Sequence, residues 1–113
     1  MADHIRIAPA ATRMVIRAAG EVIGETDAAL VMTEGSYPPV TYIPRADLDM
    51  SRLSRTNRAS VCPHKGNASY FSVITRAGLL ENAVWSYETP HPPVAAIAGF
   101  LAFYPDKISV QPA

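Results

Sequence analysis

At 113 residues the chain has room for one hydrophobic core, and its ten basic side chains are balanced by ten acidic ones. That balance argues against a dedicated nucleic-acid binder, which carries a basic face and a high pI. One cysteine excludes an internal disulfide, and no apolar run is long enough for a signal peptide or a membrane span, so a cytoplasmic protein with no membrane partner is expected.

Ten prolines are about twice average usage, which predicts short helices and many turns. Residues 1–11 read as a peripheral arm, with Ile5 and Ile7 alternating before Pro9. Residues 12–20 (TRMVIRAAG) are apolar and β-branched and end at a glycine, predicting a strand, a tight turn near Ala19 and Gly20, and a second strand from Glu21. Residues 27–34 (DAALVMTE) are read as a strand that continues the meander. A loop over residues 35–39 leads to a strand at 40–43, which Pro44 stops or confines to an edge. Residues 45–59 are polar and arginine-rich, and read as a long loop with at most one helical turn.

Strands follow at residues 69–75 and 83–87, separated by a turn at Gly78. Pro92 and Pro93 suit the first turn of a short helix over residues 94–99. Residues 100–104 and 107–110 look like a closing hairpin around Pro105 and Asp106. The sum is a mainly-β single domain spanning residues 1–113, either a small barrel or two packed antiparallel sheets, with one short helix near the C-terminus.

Reactive groups crowd most closely in residues 60–71 (SVCPHKGNASYF). A thiol acts as its thiolate, which nearby cations favour. His64 and Lys65 follow Cys62 by two and three residues, and on extended backbone Cys62 and His64 would share a face. Gly66 permits an unusual backbone conformation and a close approach by a ligand. These features describe a reactive thiol or an anion pocket, with N–H groups after Gly66 as extra donors. The plainer reading makes Cys62 a small buried side chain and Lys65 a solvated turn residue.

Trp85 and Tyr87 share one strand face and either floor a pocket or line the core, while Tyr70 points away from Phe71. Glu34, ending an apolar strand, would need a cation such as Lys65 or Arg45 if partly buried. One Cys-x-His pair, with His4 and His91 apart from it, does not make a metal site, and no metal or cofactor is expected. Asp47 and Asp49 spell an acidic–apolar alternation like that of magnesium-binding nucleotidyltransferases. Pro38, Pro39 and Pro44 forbid the helix such an enzyme needs, so both read as loop aspartates.

Several stretches together resemble the family named domain of unknown function 427, which has also carried a nucleotidyltransferase-like label. They are residues 20–23 (GEVI), 41–47 (TYIPRAD), 62–66 (CPHKG) with 68–70 (ASY), 83–87 (AVWSY) with Pro90, and 94–99 (VAAIAG) running into 102–104 (AFY). The resemblance covers most of the chain. It implies a small mainly-β domain of bacteria and fungi with no established activity. Matched position by position, it points to Glu34, Tyr42, Arg45, Cys62, Lys65, Trp85 and Tyr87 as candidate site residues. His64 stands where the family pattern has tyrosine, which weakens a Cys–His dyad.

Three function classes follow. In the first, a pocket takes a compact polar or anionic small molecule: Cys62, Lys65 and Glu34 are candidate catalytic groups, and Tyr42, Arg45, His64, Tyr70, Trp85 and Tyr87 contact the ligand. The second is a non-catalytic interaction or self-association module, presenting Arg52, Arg55, Arg58 and the proline-flanked helix; it leaves room for a homo-oligomer. A nucleotidyl-transfer enzyme using Asp47 and Asp49 ranks third.

Overall fold

The computed structural model describes residues 4–113, which form ten strands and three short 3₁₀ segments. The strands are β1 (Ile5–Pro9), β2 (Met14–Ala18), β3 (Glu21–Thr26), β4 (Leu30–Glu34), β5 (Val40–Tyr42), β6 (Leu53–Cys62), β7 (Gly66–Thr75), β8 (Gly78–Ser86), β9 (Leu101–Phe103) and β10 (Ile108–Pro112). They pair antiparallel in three sheets ordered β1-β4-β5, β10-β2-β3 and β6-β7-β8-β9. The mainly-β class is as the sequence predicts. The arrangement is three sheets rather than a closed barrel or a sandwich of two.

Strand alternation explains the layering. On β7, Phe71 and Val73 join a core with Ile16 and Ile23 of β10-β2-β3, whereas Ala68 and Tyr70 join another with Met32 and Tyr42 of β1-β4-β5. On β9, Leu101 and Phe103 face the first core and Ala102 the second. The four-stranded sheet is therefore a middle layer with a core on each face, and β7 reads as a nearly continuous buried run. One bridge ties two of the sheets together: Ile43 and Leu101 exchange backbone hydrogen bonds of 2.8 and 2.9 Å.

The β2–β3 hairpin forms as expected. Ala18 pairs with Glu21, and both residues of the turn, Ala19 and Gly20, have positive φ, the geometry that matches strand twist. Four expectations change. Of the expected arm, residues 1–3 lie outside the described residues, and Ile5–Pro9 is an edge strand paired along its whole length with β4. The expected 45–59 loop holds two 3₁₀ turns, Arg45–Asp47 and Met50–Arg52, and then becomes β6 at Leu53. β6 escapes sequence reading because it is an edge strand, mostly exposed, with a break in register between Arg55 and Ala59 that erases any alternation.

The C-terminal strands exist but do not make a hairpin: β9 pairs with β8 and β10 with β2, so the Pro105 turn carries the chain between layers. The helix is a kinked 3₁₀ segment, Pro92–Ile97, that buries Val94 and Ile97 at the three-residue spacing of that helix type. No helix among the described residues is long and apolar enough to cross a membrane.

Candidate functional site

Over the second core the strands leave a cavity of about 240 Å³. Its walls include Glu34 at the end of β4, Tyr42 on β5, Lys65 from the β6–β7 turn, Tyr70 on β7, Trp85 on β8 and Tyr87 just after it. These are six of the nine residues singled out from the sequence, brought together from positions up to 53 apart in the chain (Glu34 to Tyr87). The shared face of Trp85 and Tyr87 is a pocket wall and a part of the second core at once.

The charged corner is built by the tight turn after Cys62. Lys65 N–H donates to Cys62 O at 3.2 Å, and Gly66 turns with φ of +114°. The close approach at Gly66 is made by the protein's own backbone, with Thr89 O 3.5 Å from where a Cβ would stand. His91 N–H donates to Lys65 O at 2.9 Å, and the chain after Gly66 enters the β6–β7 ladder directly. The turn is thereby braced to aim the Lys65 side chain at Glu34.

Lys65 Nζ donates to Glu34 Oε1 at 2.7 Å, with the two side chains 12% and 20% exposed. Glu34 Oε2 also lies 3.5 Å from His4 Nε2. The hydrogen bond from Lys65 outweighs burial and holds the Glu34 carboxyl below its ordinary value. Burial alone would lower Lys65, but its bond to Glu34 and the neighbouring Cys62 sulfur more than offset that and raise it. Lys65 is thus a cationic donor rather than an amine nucleophile, and Glu34 an ionised acceptor.

The phenols divide into two kinds. Burial pushes Tyr42 and Tyr87 each up to about 12, so both stay neutral phenols in the cavity wall. Burial would raise Tyr70 as well, but hydrogen bonds with Ser60 and Tyr104 and the charge of Arg58 draw it below the ordinary phenol value. Its hydroxyl lies 2.8 Å from Ser60 Oγ, and the Arg58 guanidinium sits 4.8 Å from its ring centre.

Three expected residues stand off the cavity wall. Cys62 is half-buried behind Lys65, its sulfur 3.7 Å from Nζ. His64 packs edge-on against His4 at 4.9 Å. Arg45 lies on the other face of the middle sheet, over the Phe71 ring, where it bonds Gly99 O and Glu88 at 3.2 Å each. Arg55 completes a clamp on Glu88, whose carboxyl its hydrogen bond lowers.

The arginines of the interaction-module reading are likewise occupied. Arg52 bonds Glu21 and Ile74 O, Arg55 bonds Glu88, and Arg58 covers Tyr70. Asp47 accepts from Thr26 at 2.7 Å and Asp49 caps the second 3₁₀ turn through Ser51 N–H. Among the described residues no group of three or more His, Cys, Asp or Glu could hold a metal ion.

Sequence reading missed Met32, Tyr37, Pro38, Val40 and Tyr104 on the wall. Tyr104 had a signal: it alternates with Phe103 onto the Ala102 side, and Ala102 pairs with Trp85, whose ring lies 4.7 Å from that of Tyr104. Tyr37 and Pro38 belong to the loop joining two strands that each carry a site residue.

No curated protein matches the chain significantly. The family model described as Domain of unknown function (DUF427) matches residues 6–111, nearly the whole chain and all of the cavity wall. The chain belongs to that family.

Proposed function

We propose that this chain is a small-molecule-binding β-domain whose cavity takes a compact polar ligand between the Lys65–Glu34 corner and the wall of Tyr42, Tyr70, Trp85 and Tyr87. The observation that carries this reading is the convergence of those six side chains, from four strands and a turn, on one cavity. Aromatic walls with a few placed polar groups are the usual make-up of a ligand pocket. The cation of Lys65 is already matched by Glu34 at 2.7 Å, so the corner is charge-balanced and favours a neutral polar group over a strong anion. Cys62 supports Lys65 from behind. Any proton transfer at the site falls to Tyr70, the pocket phenol held below its ordinary value by Ser60, Tyr104 and Arg58 against the effect of burial.

The test is a fragment screen by protein-observed NMR, using small neutral and anionic polar compounds. Hits are expected to shift the Trp85 indole signal and to weaken about tenfold or more in Lys65→Met, which removes the charged donor. A screen in which no compound shifts Trp85, or in which hits bind Lys65→Met equally well, sinks the reading.

A further inference from the structure

A second cavity, of about 430 Å³, adjoins the first. The two share Tyr37, Pro38, Val40 and Trp85 as walls. Beyond Trp85 the character changes: the second cavity is lined by Phe103, Pro105, Ile108 and Val110, with Thr41 as the polar exception among its unshared walls. Its position follows from the strand pairing. β5 and β9 are joined at Ile43 and Leu101, and the ladder does not continue toward Val40 and Tyr104. In that unpaired stretch Phe103 looks to one cavity and Tyr104 to the other, with Trp85 between them.

We infer that the two cavities form one slot, and that the ligand carries a neutral polar head for the Lys65–Glu34 corner and a short apolar chain that passes Trp85 into the second cavity. This rests on the reading of the first cavity as a ligand pocket. The head is defined by the corner itself, where an ammonium donor and a carboxylate acceptor lie 2.7 Å apart. A primary carboxamide or a similar group accepts from one and donates to the other. A carboxylate would face Glu34, and an amine would face Lys65. The tail is defined by Phe103, Ile108 and Val110, which offer it no charge and no ionisable partner.

The probe is a series of primary carboxamides from acetamide to octanamide, titrated into the intact protein. Binding is read by the fluorescence of Trp85, the chain's single tryptophan and a wall of both cavities, and checked by calorimetry. Affinity should rise about three- to fourfold per added methylene, the gain from moving each one out of water, and level off when the chain outgrows the second cavity. Val110→Glu places a charge at a half-buried position lining the second cavity, and should abolish the rise while leaving the affinity for propanamide within about twofold. Thr41→Glu makes the same test from β5, should the first variant fail to fold.

Short amides that bind with no gain from lengthening overturn the slot and leave the polar pocket standing. Gains that persist in both variants put the tail elsewhere and also overturn it. Alkyl carboxylates or amines that bind more tightly than amides of equal length overturn the neutral head. If neither an amide nor any fragment binds the wild type, both readings fall together.

Discussion

Lys65 joins two parts of the fold and, on the proposed reading, also meets the ligand. Its bond to Glu34 crosses from the β6–β7 turn to the end of β4, closing the charged corner, and removing it should cost about 2 kcal/mol. The pair also sets a pH signature. Glu34 is lowered in the fold, so its contribution is full above its unfolded value of about 4.3 and is lost as pH falls through the depressed one. Lys65 is raised, so its contribution is full below about 10.4 and is lost as pH climbs through the elevated value. Glu34→Gln should therefore be less stable than wild type at pH 7 and lose less on acidification. Urea titrations at pH 3 and pH 7 measure this, and equal acid losses in the two proteins would contradict it. Tyr70 gives a second test: Tyr70→Phe should remove an early part of the alkaline rise in phenolate absorbance, leaving the limb near 12 from Tyr42 and Tyr87 intact. Trp85, Tyr87 and Glu34, which alternation and the isolation of one carboxylate single out as local signals, do line the cavity. Arg45 does not line the cavity, because its partner, Glu88, lies 43 residues away and on the far face of the sheet.

Two glycines stand where a side chain would be strained, one by a close approach and one by its backbone angle. At Gly24 of β3 an added Cβ would stand 2.6 Å from Leu48 Cδ2 and 2.7 Å from the carbonyl oxygen of Asp47, which belongs to the first 3₁₀ turn. The backbone oxygen cannot step aside without moving that turn. Gly24→Ala should cost about 1–3 kcal/mol, read as a lower melting temperature, and a neutral result would mean that the turn yields freely. At Gly66 the space is adequate but the +114° φ is not, and Gly66→Ala should cost about 1–3 kcal/mol as well. The strands themselves were legible wherever one face is apolar, as in β2 and β7. β6 was not, since its side chains are mostly exposed and what orders it is backbone pairing to β7. Pairing partners were illegible too: nothing in residues 100–110 reveals that β9 and β10 part into different sheets.

At the scale of the molecule, a middle sheet with a core on each face separates two kinds of chemistry. One face carries the aromatic cavity, and the other carries the Arg45–Glu88–Arg55 clamp over Phe71. The mainly-β class was readable from composition and turn spacing, and the family from its resemblance in short motifs. The three-sheet arrangement was not, since it depends on non-local pairing such as that of β1 with β4 and β10 with β2. The bridge between Ile43 and Leu101 has a consequence for motion. Both residues are fully buried, and two hydrogen bonds of 2.8 and 2.9 Å are what join β5 to β9, the strands that splay apart toward the proposed slot. In hydrogen–deuterium exchange these two amides should behave as a hinge pin, exchanging together and more slowly than the amides of Thr41 and Phe103 at the splayed end. Occupancy of the slot should slow the splayed end most, so that the seam between two sheets registers, amide by amide, whether anything has entered it.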